Sequence, residues 1–217
     1  MNVAAQAGPG PMFSLGKQIL VAIAIAALAY LALRFYSVEA VQYFKVSETS
    51  YGPYWAKWGW LLAHLSGGSL ALFMGPFQFW TGLRLRHMRL HRWTGRFYVL
   101  GVAIAALSSL SLAFTSLVGP NFGVGLFVLG LVWLAATGMA LLAALKREFV
   151  AHKHWMIRSY VITFAFVLFR WLSELPILMH LPLSERLTAI GWISWVVPLF
   201  ATEIVLQLRS FGKRSFI

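Results

Sequence analysis

Residues 122–145 read FGVGLFVLGLVWLAATGMALLAAL, a run with no charged side chain. A bilayer crossing needs about 20 consecutive apolar residues, and this run supplies them. No soluble domain explains it, because the rest of the chain offers several similar runs and little polar sequence to cover them. Of the 217 residues, 60% are hydrophobic and only 11% charged. The fold class that follows is all-α: one polytopic transmembrane helix bundle occupying residues 1–217 as a single domain.

Working outward, runs bounded by charge, Gly and Pro predict about six helices, at 15–35, 57–81, 97–118, 122–145, 156–178 and 188–208. The first, rich in Ala, is kept as a helix rather than a signal peptide, since it is too long and lacks a convincing small-residue cleavage site. VGPN (Val118 to Asn121) is a tight turn, which makes the third and fourth helices antiparallel neighbours. The longest connection, about 36–56, carries Tyr43, Tyr51, Tyr54 and Trp55, side chains suited to the headgroup layer.

Charge sets the expected orientation. With the N-terminus inside, Lys17, Arg84, Arg86, Arg89, Arg92, Arg96, Lys146, Arg147, Lys153, Arg158, Arg209, Lys213 and Arg214 all fall on the cytoplasmic side. Arg34, Lys45, Lys57 and Arg186 fall on the other. Cytoplasmic loops of inner-membrane proteins are enriched in Lys and Arg, so both termini are expected in the cytoplasm of a bacterial inner membrane. The net charge of +12 then points to anionic lipids on that side rather than to nucleic acid.

Two stretches at cytoplasmic helix entries share one pattern: HRWTGRFY (His91 to Tyr98) and HKHWMIRSY (His152 to Tyr160). Each runs His, a basic residue, Trp, two residues, Arg, one residue, Tyr, with one residue of slippage. Each follows an outside-to-inside helix, which predicts a parallel repeat of helical hairpins, second with third and fourth with fifth. Arg and aromatic rings at such a boundary anchor a helix to phosphates and headgroups. Anchoring leaves the two histidines without a role. A second reading gathers His91, Arg92, Arg96, His152, Lys153, His154 and Arg158 around one concavity. There His91 and His152 ligate a haem iron, and the cations pair with propionates or another anion.

Ionisable groups within the apolar runs are costly and mark functional candidates. From the expected outer helix ends, His64 lies about 9 Å deep, Arg170 about 12 Å and Glu174 about 6 Å, at ~1.5 Å per residue. Arg170 and Glu174, four apart, are expected to pair, with His64 as a third member. As a structural clip, the pair would leave His64 donating to a backbone carbonyl. As a site, the three suit a quinone headgroup or a proton path. Glu203, in the inner part of the last helix, is expected to pair with Arg96 or Arg158, with Gln78 and Gln207 in the same network. Pro76 is expected to kink the second helix or free a carbonyl, and the nearby glycines to permit close helix approach.

The chain lacks Cys, which excludes disulfides, thiolate metal sites, iron–sulfur clusters and cysteine nucleophiles. Nothing resembles a P-loop, a dinucleotide fingerprint, HExxH or GxSxG.

GPFQF (Gly75 to Phe79), HRxxGRxY and HxxWMIRSY together resemble a widespread bacterial family of membrane proteins of unknown function, over roughly His64 to Arg170. The resemblance implies a polytopic inner-membrane protein and no particular activity. The chain is also similar, more distantly, to four-helix membrane cytochromes of the b type, which hold haem between histidines on facing helices. It departs from them in placing His91 and His152 at helix mouths and in offering His64 no evident partner but His180. Three functions follow as expectations: a redox-associated protein binding b-type haem or quinone, an accessory subunit of a larger membrane complex, and a small-solute or proton transporter gated by Glu174 and Glu203.

Overall fold

A computed structural model describes residues 15–84 and 87–214. Arg86 lies outside them, as do the side chains of Lys17, Arg84, Lys213 and Arg214. The described residues form helices and no strand. These are α1 (Leu15–Arg34), α2 (Trp58–Arg84), α3 (Met88–Ala113), α4 (Pro120–Leu145), α5 (Phe149–Thr163), α6 (Ala165–Ser173) and α7 (Leu183–Arg214). α5 and α6 are one rod interrupted at Phe164, whose N–H is shared between the carbonyls of Tyr160 and Val161. Counting α5 and α6 as one span, five helices among the described residues are long and apolar enough to cross a membrane. Many large apolar side chains on them face outward, among them Leu107, Val124, Leu142, Val197 and Phe200. That is the surface lipid requires.

The start of α1, the end of α2, the start of α3, the turn α4–α5 and the end of α7 lie at one end of the bundle, the terminal face; residues 35–57 and the turns α3–α4 and α6–α7 lie at the other, the loop face. The connection 35–57 is not an open loop. It is built of short helical turns, Phe35–Ala40, Val41–Lys45, Glu48–Tyr51 and Gly52–Lys57. Tyr51 in particular does not lie along the headgroups: it is buried, and its hydroxyl donates to the Tyr43 carbonyl at 2.8 Å.

α3 and α5 begin earlier than expected, at Met88 and Phe149, so both copies of the repeated pattern lie inside helices. The reason is that the leading residues, such as MRLHRWTGR on α3, are too rich in charge for a search for apolar runs to include. Arg89, Arg92 and Arg96 are exposed while Thr94 is buried. His91 and His152 each occupy the fourth helical position, and each turn before them contains a residue with φ near +60°, His87 and Arg147. α7 also outruns its expected bounds at both ends.

Backbone meets backbone between α2 and α3. A Cβ on Gly67 would lie 2.6 Å from the Gly101 carbonyl oxygen, and one on Gly101 would lie 2.7 Å from that of Gly67. Ala71 and Ala105, one turn on in each helix, continue the seam, both fully buried. This is the small-residue packing used inside membranes, where apolar side chains gain nothing by leaving lipid.

The motif GPFQF docks two neighbours at once. Pro76 has no N–H, so the Leu72 carbonyl loses its helical partner. The Tyr160 hydroxyl donates to that carbonyl at 3.1 Å, and the absent side chain of Gly75 leaves the space that the Tyr160 ring fills. Gln78 donates to the His91 carbonyl at 2.7 Å and to the Thr94 hydroxyl, against Gly95, where a Cβ would press on its amide. Glycine is required at both places by approach, not by dihedral angle.

Gly75→Ala is expected to lower stability by about 1–3 kcal/mol through overpacking against Tyr160. Tyr160→Phe is expected to cost about 1 kcal/mol, by orphaning one buried carbonyl. Gly59→Ala, where a Cβ meets nothing within 4 Å, is the matched control and should leave the thermal midpoint in detergent unchanged.

Candidate functional site

At the loop face the bundle holds a cavity of about 400 Å³. Its apolar wall includes Leu61, Leu65, Leu72, Phe166, Val167 and Phe169; its polar groups include Tyr54, His64, Ser109, Thr163 and Arg170. Tyr43 and Phe35 of the helical connection cover it, so residues expected along the headgroups form part of its roof.

His64 is buried on α2, one turn before Gly67. Its Nδ1 lies 2.9 Å from the Ala105 carbonyl, which accepts only, so Nδ1 carries the proton. Nε2 is thereby an acceptor, and it has no partner among the described residues. The Phe166 ring stands edge-on to the imidazole at 4.9 Å and holds it in place. The close approach at Gly67 brings the Ala105 carbonyl within reach, so packing and ring orientation have one cause.

Arg170, on α6, lines the same cavity with Tyr54 as an electrostatic neighbour. Glu174 does not join them. It pairs with Arg34 at the end of α1, at 2.9 Å and 3.2 Å. Helical spacing alone favoured Arg170, but an exposed carboxylate at the helix end reaches a cation on another helix as readily as one four residues back.

The cluster at the terminal face divides in two. His91 and His152 come together, ring centroids 6.4 Å apart and nearly perpendicular. The Thr81 hydroxyl donates to the Phe77 carbonyl at 2.6 Å, so it accepts from His91 Nδ1 at 2.9 Å. His152 Nδ1 donates to the Ala140 carbonyl at 2.8 Å. Each histidine thus ties its own helix to the preceding one, α3 to α2 and α5 to α4, and keeps its Nε2 lone pair. The cations lie elsewhere. Arg92 and Lys153 are exposed, and Arg96 lies over the Trp93 ring at 4.8 Å. Arg158 lies over the Trp155 ring, also at 4.8 Å, and pairs with Glu203 at 2.5 Å and 2.9 Å. Of the two partners expected for Glu203, Arg158 is the one it meets. Gln207 joins the pair at 2.9 Å, whereas Gln78 is spent on α3. His154 is an electrostatic neighbour of Glu203. Among the described residues no group of three or more His and Glu gathers as a metal site.

A third polar centre was not foreseen. Tyr98, Thr137, Ser159 and Thr163 form a hydrogen-bonded cluster midway along the bundle, with Trp133 donating to Thr163 at 3.2 Å. The signal for it was present in the sequence: single hydroxyl residues in apolar runs, one of them the terminal Tyr of HRWTGRFY.

Comparison with known proteins adds one identification. The family model for predicted membrane protein (DUF2306) matches residues 61–206. The chain belongs to that family. The match runs from α2 into α7, beyond the span from His64 to Arg170 that its motifs indicated; it takes in the His91–His152 contact and most of the cavity lining, but not Phe35, Ala40, Tyr43 and Tyr54. No curated protein and no solved structure gives a match.

The chain's lack of cysteine allows a clean test of the Arg34–Glu174 contact. In an Arg34→Cys, Glu174→Cys variant, a short thiol cross-linker is expected to join α1 to the end of α6. Mass spectrometry of the digest should recover the linked peptides, and neither single variant should yield them.

Proposed function

We propose that the cavity at the loop face binds the headgroup of an isoprenoid quinone drawn from the bilayer. The observation that carries this reading is a cavity with one imidazole acceptor, one guanidinium and an apolar wall. Volumes of about 300–1,000 Å³ are typical of small-molecule sites, and this one accommodates a substituted ring with the start of its tail. A quinol hydroxyl donates to His64 Nε2, while a quinone carbonyl accepts from Arg170. Leu72, Phe166 and Val167 exclude water from the ring, which strengthens both bonds.

The orientation is part of the proposal. The charge asymmetry supports a bacterial inner-membrane protein with both termini cytoplasmic, so that the cavity opens in the outer half and the basic terminal face meets anionic lipid. Green fluorescent protein fused after residue 217 is expected to fluoresce and alkaline phosphatase there to be inactive; the converse pattern would invert the assignment.

A specific observation favours a second ligand. His91 and His152 each donate Nδ1–H to a protein acceptor, the arrangement that orients imidazoles for metal ligation, so b-type haem between them is the alternative. The accessory-subunit and transporter readings have less support, and both proposed gates, Glu174 and Glu203, sit in ion pairs.

A photoreactive benzoquinone analogue added to the purified protein is expected to label cavity peptides. His64→Leu and Arg170→Gln should each weaken labelling by about tenfold, the worth of one good buried hydrogen bond. Labelling confined to the lipid-facing surface would remove the quinone reading. An oxidised-minus-reduced spectrum of the same sample decides the alternative: a haem band that disappears in His91→Ala would establish it.

A further inference from the structure

We propose that Thr163, Tyr98, Ser159 and Thr137 form a proton wire between the cavity and the terminal face. The four oxygens make an unbroken chain: Thr163 to Tyr98 at 2.9 Å, Tyr98 to Ser159 at 2.8 Å, and Ser159 to Thr137 at 2.7 Å. All four residues are buried, Tyr98 and Ser159 completely. One end is open to a ligand, because Thr163 lines the cavity floor beside Trp133.

The chain can be hydrogen-bonded in either direction. In one polarity Thr137 donates to Ser159, Ser159 to Tyr98, Tyr98 to Thr163, and Thr163 to the Ser159 carbonyl at 2.9 Å. In the other, Thr163 donates to Tyr98, Tyr98 to Ser159, Ser159 to Thr137, and Thr137 to the Trp133 carbonyl at 2.8 Å. Every hydroxyl donates once in each polarity, so no buried donor is lost on switching. Leaving one unsatisfied would cost about 1–3 kcal/mol, which is why a chain without the two backbone acceptors would be locked in one direction. When a proton enters at one end, each oxygen accepts one and passes one on, and one leaves at the other end. Rotation of the hydroxyls resets the chain, and no charge accumulates.

The exit at the terminal face is the histidine pair. Ala140 lies one turn of α4 from Thr137, about 4.5 Å along the axis, and its carbonyl accepts from His152 Nδ1. That carbonyl takes no proton and only orients the ring, so the proton leaving Thr137 passes through bridging water to His152 Nε2. His152 and His91 then offer unprotonated Nε2 atoms next to the basic surface. The histidines of the two repeated stretches thereby gain a role that requires no metal.

The test is proton flux in sealed vesicles containing the full chain, an internal pH-sensitive dye and a potassium diffusion potential, with no quinone present. Wild-type protein is expected to dissipate the imposed gradient faster than protein-free vesicles. Tyr98→Phe should slow the protein-dependent rate by at least about tenfold at equal incorporation. Ser159→Ala and Thr137→Val, smaller changes, provide the same reading should Tyr98→Phe fail to fold. Flux no greater than in protein-free vesicles overturns the wire, as does undiminished flux in the folded variants. Because quinone is absent from the measurement, failure of the quinone reading leaves this result unaffected, and the reverse holds for the labelling experiment.

Discussion

A backbone carbonyl in hydrocarbon must find a donor, and the Leu72 carbonyl loses its own when Pro76 follows four residues later. Tyr160 restores it from another helix. That one bond needs Gly75 to be empty of side chain, α5 to stand against α2, and the ring of Tyr160 to lie at a fixed height. The rest of the terminal half follows. With α2 held there, Gln78 meets the first turns of α3 and His91 meets Thr81, while the glycine seam sets α3 against α2. A helix weakened by proline has become the post on which two neighbours are hung.

The same seam shapes the polar sites. Close approach at Gly67 and Gly101 lets His64 use the Ala105 carbonyl, and that bond fixes which nitrogen faces the cavity. The buried hydroxyls sit where α3, α4 and α5 converge, and the two at the ends, Thr137 and Thr163, each have a second acceptor because Thr in a helix reaches back to the carbonyl four residues earlier. Packing and chemistry are thus read from one set of contacts.

The helical class and five of the six expected membrane spans, all but the first at 15–35, were legible because hydropathy and length are properties of single segments. So were the Gly and Pro roles on α2, the repeated motif and the pairing of Glu203 with a motif arginine, since each rests on residue type and depth. The starts of α3 and α5 were not, because their leading residues, MRLHRWTGR and FVAHKHW, carry too much charge and His to pass an apolar threshold. The Arg34–Glu174 pair and the cluster around Tyr98 join residues 140 and 61 positions apart, distances over which local spacing carries no information. The cavity was visible only as scattered polar residues; its volume is made by the helical connection folding over them.

The two Trp–Arg stacks have a mechanical consequence. Trp93 with Arg96 and Trp155 with Arg158 repeat one geometry on two helices, near their starts at the terminal face. A slip of either helix by one turn toward the loop face would draw a guanidinium about 5 Å into hydrocarbon. A slip the other way would pull an indole out of the interfacial layer it favours. The stacks therefore act as depth stops. Two stops on separate helices define a line, so they limit tilt in the direction that joins α3 to α5 as well as height, and leave tilt about that line to the other helices.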